Sequence, residues 1–181
     1  MEPITSATLR AFLQRLGERS PGPGAFYLLG GSALCLLGNP RTTLDVDYMF
    51  ELEAGLAEQF QAILDELAVQ MRLDVEAVPL AEFVPLPPQA YARRRLVERF
   101  GQLDVYIFDL YSIALSKIAR GLEADLEDVE FLLREGLISF EDLERHFHAV
   151  LPDAPRADIV PAEFQAYFDQ VRRRATSPRI D

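Results

Sequence analysis

The chain has 181 residues, enough for one domain or one compact domain with two lobes, and 49% of them are hydrophobic, which supplies a core. The formal net charge of −11 disfavours broad, sequence-independent nucleic-acid binding, which relies on a basic surface. A single cysteine, Cys35, excludes an intrachain disulfide, and two histidines, His146 and His148, are a poor basis for a zinc site.

No apolar run reaches the ~18 residues needed to span a membrane. The opening residues Met1-Glu-Pro-Ile-Thr-Ser6 lack the basic and apolar regions of a signal peptide. The expected compartment is cytoplasmic, with no membrane partner.

In chain order, Leu9, Phe12, Leu13 and Leu16 recur at helical spacing, so Thr8 to Glu18 is expected to form an amphipathic helix. Ser20-Pro-Gly-Pro-Gly24 breaks it. Ala25 to Leu29 reads as a buried strand, Gly30-Gly31-Ser32 as a tight turn, and Ala33 to Leu37 as a short helical stretch that Gly38-Asn39-Pro40 ends. Then comes Arg41-x-Thr43-x-Asp45-x-Asp47, followed by the apolar Tyr48-Met49-Phe50. In a strand, residues i and i+2 point to one face. Arg41, Thr43, Asp45 and Asp47 are therefore expected to share a side, with Leu44 and Val46 on the other.

This stretch carries the chemistry. Two carboxylates side by side on an apolar strand repel each other unless a cation sits between them. Hard divalent cations such as Mg2+ take oxygen ligands and usually keep waters that a phosphate can replace. A Gly-Gly-Ser turn at a helix start points unpaired N–H groups outward, which suits phosphate. A phosphate seat followed by a metal-ready pair suggests Mg2+-nucleotide chemistry.

Further along, Glu53 to Gln70 reads as a helix striped by Leu56, Phe60, Ile63, Leu64 and Leu67. Arg72 to Val78 reads as a strand with Asp74 and Glu76 on one face. Pro79 to Pro88 is an extended excursion. Tyr91-Ala-Arg93-Arg94-Arg95 leads into a hairpin of Leu96–Phe100 and Leu103–Phe108 across Gly101-Gln102. The arginine run, with Arg99, is a candidate phosphate- or acceptor-contacting element. The second basic cluster, Arg172-Arg173-Arg174 with Arg179, reads as solvated charge.

Asp109 is a candidate N-cap for a helix carrying Leu110, Ile113, Ala114, Lys117 and Ile118. Lys117 and Arg120 are i, i+3 neighbours, as are Asp125 and Asp128 on the next helix. Ser139-Phe-Glu-Asp142 opens another helix, running through Val150, with a capping-box pattern. Pro152-Asp-Ala-Pro155 reads as a linker, Pro161 to Arg173 as a final helix, and Thr176 to Asp181 as a frayed tail.

Gly30-Gly31-Ser32 followed by Arg41-x-Thr43-x-Asp45-x-Asp47 resembles the signature of the nucleotidyltransferase superfamily, the polymerase-β-like fold. The double glycine and the Arg-x-Thr most resemble the minimal bacterial branch, which includes AbiEii/MenT-type toxins and DUF6036-type proteins. A lysine, an arginine and an Asp-x-x-Asp after the sheet, here Lys117, Arg120, Asp125 and Asp128, continue the resemblance.

The resemblance implies an α/β fold: a small mixed sheet flanked by helices, with a catalytic core over residues 1–108 and a helical region over 109–181. It implies a third carboxylate on a neighbouring strand. Asp74 is the first choice for it, Glu76 the alternate and Asp104 a weaker rival. Asp45, Asp47 and Asp74 would hold two Mg2+ ions, and Asp74 would be general base. Gly30, Gly31, Ser32, Arg41, Thr43 and Lys117 would contact the NTP, with Arg120, Asp125 and Asp128 in support.

The implied activity moves a nucleoside monophosphate from an NTP to an acceptor hydroxyl on tRNA, protein or a small molecule. The family also suggests an antitoxin or a homodimer as partner. The alternative is a nucleotide-binding or partner-binding module without turnover.

Overall fold

The computed structural model describes residues 3–79 and 84–176. Parts of the expected excursion and tail, residues 80–83 and 177–181, lie outside this set, Arg179 among them. Among the described residues there are five strands and seven α-helices, in two compact units. One unit is drawn from Met1–Val78 and Arg94–Phe108, the other from Pro79–Arg93 and Asp109–Asp181.

The first unit is a mixed sheet with three helices. Its elements are α1 (Ser6–Arg19), β1 (Gly24–Leu28), α2 (Gly30–Leu36), β2 (Asp45–Leu52), α3 (Ala57–Met71), β3 (Asp74–Ala77), β4 (Arg95–Phe100) and β5 (Leu103–Ile107). The strand order is β3-β2-β1-β5-β4. β1 runs antiparallel to β2 and parallel to β5, β2 runs parallel to β3, and β4–β5 is the antiparallel hairpin that the sequence suggests.

Alternation sorts the two faces of this sheet. Phe26, Tyr48 and Phe50 form a ring cluster with Phe60 of α3, and Tyr48 also bonds Gln61 of that helix. α1 adds Leu9, Phe12, Leu13 and Leu16, all buried as the helical spacing predicts. Because side chains alternate, Asp45 and Asp47 stand on the face turned away from α3. β3 completes that face: Asp74 pairs with Asp45 and Glu76 with Asp47 in register.

The second strand is shorter than the period-two run suggests. It begins at Asp45, and residues 41–44 form a loop in which Thr43 makes an isolated bridge with Ile4. Leu44, expected on the apolar face, is 56% exposed, because the alternation that would bury it has not yet begun.

The second unit is helical: α4 (Leu110–Arg120), α5 (Glu123–Arg134), α6 (Phe140–Val150) and α7 (Pro161–Thr176), with 3-10 turns at Ala90–Arg93 and Leu151–Ala157. The expected linker at Pro152–Pro155 is thus the body of a 3-10 turn. Asp109 caps α4 by accepting from the Tyr111 and Ser112 amides, and Ser139 caps α6 by accepting from the Asp142 amide. Phe147 of α6 meets Phe164 of α7 edge-on and stacks on Phe168 of the same helix.

Candidate active site

The acidic face of the sheet brings three carboxylates together. Ligand oxygens of Asp45, Asp47 and Glu76 all lie within 4.8 Å of one another. Three anionic groups at this separation repel, and a divalent cation among them relieves the repulsion. Oxygen donors alone, without nitrogen or sulfur, match a hard ion such as Mg2+. The donor set therefore fits the metal expected from the sequence.

Glu76, the alternate third acid, takes part in this group, and Asp74 does not. Both stand on the same face of β3, but the parallel register sets Glu76 opposite Asp47 and Asp74 opposite Asp45 at the strand's start. Asp104 stands two strands from β2, on β5, where the Arg99 guanidinium holds it through two bonds at 2.6 and 2.8 Å. That bond and the positive charge keep the Asp104 carboxyl below the usual carboxylate range.

The double glycine lets the start of α2 press against these acids. A Cβ on Gly30 would stand 1.7 Å from Asp47 Oδ2, and one on Gly31 would stand 2.6 Å from Thr43 Oγ1. Gly30 also has φ of +50°, a region that favours glycine. The Ser32 side chain is buried, and its hydroxyl donates to the Leu29 carbonyl at 2.9 Å, with the Asp47 carbonyl at 3.3 Å. Leu29 N–H donates to that same Asp47 carbonyl at 3.0 Å. Ser32 thereby ties the turn to the acid-bearing strand. Thr43 Oγ1 donates to Asp45 Oδ1 at 3.0 Å, and Arg41 is exposed in the loop before it.

A glycine turn, an Asp-x-Asp strand and a third acid on the adjoining strand are the marks of the resemblance drawn from the sequence, and comparison with known families bears on it directly. The model of DUF6036, described as a nucleotidyltransferase of unknown function, matches residues 7–172. The chain belongs to this family. No curated protein and no solved structure gives a significant match.

In this DUF6036 chain, the lysine expected on the phosphates is enclosed. Lys117 is 2% exposed, and its ammonium donates to Asp128 Oδ2 at 2.6 Å and to Asp125 Oδ1 at 3.2 Å. Arg120 reaches Asp125 Oδ1 from the surface at 2.6 Å. Asp125 Oδ2 is buried and has no hydrogen-bond partner among the described residues. Lys117 is also the chain's sole lysine; every other basic side chain, histidines aside, is arginine.

The arginine run divides between the two units. Arg93 grips the fully buried Asp109 through two bonds at 2.8 and 2.7 Å. Arg94 lies over the Tyr106 ring at 5.0 Å, and Arg95 opens β4. Sequence reasoning did not single out the Arg93–Asp109 pair; the signal available was an acid that caps a helix while an arginine run precedes it. No helix among the described residues is long and apolar enough to cross a membrane.

Proposed function

We propose that this chain transfers a nucleoside monophosphate from an NTP to an acceptor hydroxyl: the acceptor oxygen bonds to the α-phosphorus, the α–β phosphoanhydride bond breaks and pyrophosphate leaves. The observation that carries the reading is the convergence of Asp45, Asp47 and Glu76 beside a double-glycine turn. Membership of a family described as nucleotidyltransferases supports the same chemistry.

Asp45, Asp47 and Glu76 would hold the Mg2+ that this chemistry uses. Bound Mg2+ neutralises triphosphate charge and makes an acceptor hydroxyl more acidic. Asp74, beside Asp45 on the same face, is the candidate to take the acceptor's proton. Glu76 is the alternate in that role.

The Gly30 and Gly31 amides would receive phosphate oxygens, since the first amides of a helix have no partner within it. The Ser32 hydroxyl, bonded to backbone carbonyls, would hold the turn in shape for them. Arg41, exposed in the loop leading to the acids, is a further candidate to contact the triphosphate. Lys117, with Arg120, Asp125 and Asp128, is assigned to hold α4 against α5. For it to contact phosphate, its ammonium would have to leave two buried carboxylates.

The acceptor remains a class: a tRNA end, a protein side chain or a small molecule. A net charge of −11 weighs against extensive nucleic-acid contact. A toxin-like role with an antitoxin, or a homodimer, follows from the resemblance alone. The test is transfer of label from an α-phosphate-labelled NTP, with Asp45→Asn and Asp47→Asn as controls that keep the fold. A non-catalytic nucleotide-binding module would bind Mg-NTP in calorimetry and transfer nothing.

A further inference from the structure

We propose that Thr43 is a positioning residue for the metal-binding carboxylate of Asp45. The inference rests on the reading of Asp45, Asp47 and Glu76 as a divalent-cation site. A carboxylate that binds an ion stays aimed when an outer donor also holds it, and such donors tune affinity. Thr43 supplies that donor: its hydroxyl reaches Asp45 Oδ1 at 3.0 Å, with the Asp45 backbone carbonyl at 3.2 Å.

Three features fix the hydroxyl where it stands. Thr43 is 8% exposed although it lies in a loop between exposed neighbours. Its backbone carbonyl accepts from the Ile4 amide at 2.8 Å, and Ile4 is itself 2% exposed. Gly31 leaves the space that the hydroxyl fills, since any Cβ there would stand 2.6 Å from Thr43 Oγ1. The N-terminal segment holds the Thr43 backbone, and the start of α2 leaves room for its side-chain oxygen.

The experiment is Mn2+ binding to the folded full-length protein, read by the loss of the free-ion electron paramagnetic resonance signal. Thr43→Val, Thr43→Ser and wild type are compared, with thermal melts confirming that each is folded. Thr43→Val should bind Mn2+ about 10–100-fold more weakly, as loss of an outer donor does. Thr43→Ser, which keeps the hydroxyl, should bind close to wild type. Wild-type affinity in Thr43→Val overturns the inference and leaves the cation site standing. Equal weakening in both variants overturns it too, by assigning the effect to the methyl group. A folded wild type that binds no Mn2+ overturns both the inference and the reading beneath it.

Discussion

Gly30 stands against Asp47 so closely that a Cβ would meet its Oδ2 at 1.7 Å, with φ at +50°. The glycine is therefore a requirement of the carboxylate, not of the turn alone. Gly30→Ala should displace Asp47, cost about 1–3 kcal/mol of stability as overpacking does, and abolish transfer. Urea denaturation and the labelled-NTP assay read the two effects. A variant of full stability and activity would detach the turn from the acids.

The buried Lys117 cluster predicts a stability effect. Lys117→Met takes the ammonium from two buried carboxylates, leaving Asp125 the Arg120 guanidinium, and breaking such a buried pair costs about 3–5 kcal/mol. The triple variant Lys117→Met, Asp125→Asn, Asp128→Asn removes the stranded charge and should recover much of that loss. Chemical denaturation distinguishes them. Unchanged stability with lost transfer would instead put the ammonium on the phosphates.

Asp109 both caps α4 and receives Arg93 through two bonds. Asp109→Ala strips the cap and takes from Arg93 its carboxylate, leaving it the Pro88 carbonyl, so it should destabilise by about 1–3 kcal/mol. Arg93→Ala leaves the cap in place and should cost less. Equal melting losses in the two variants would mean that the cap contributes nothing.

Alkali should weaken the sheet unit through Tyr27. Burial first, then its hydrogen bond to Glu51, push the Tyr27 phenol up to about 12. In the unfolded chain a phenol ionises near pH ~10. Between these values the unfolded state holds fewer protons than the folded one, so stability falls as pH rises. Tyr27→Phe should flatten that fall. The other tyrosines and Cys35, whose thiol burial also pushes up, are unchanged in Tyr27→Phe, so the difference in slope reads Tyr27. An unchanged alkaline slope in Tyr27→Phe would contradict the assignment.

Much of this was legible in the sequence because local chemistry decides it. The α1 stripe, the β4–β5 hairpin across Gly101 and the caps at Asp109 and Ser139 each follow from a few neighbouring residues. The choice between Asp74 and Glu76 does not, because i and i+2 share a face and only the register against β2 separates them. Leu44 was misjudged because alternation shows a strand's period but not its first residue. The enclosure of Lys117 depends on α5 packing on α4, which helical spacing leaves undetermined. The hold of Thr43 on Asp45 depends on Ile4, 39 positions earlier by number, which no local pattern reveals.

The most direct measurement is transfer itself. Purified protein is incubated with Mg2+ and each α-phosphate-labelled NTP, together with total RNA and cell lysate. Wild type should place label on an acceptor, and Asp45→Asn, Asp47→Asn and Glu76→Gln should each abolish it while remaining folded. Label on a tRNA-sized band, on protein or on a small molecule would name the acceptor class. Transfer that survives in all three variants would contradict the assignment of the site.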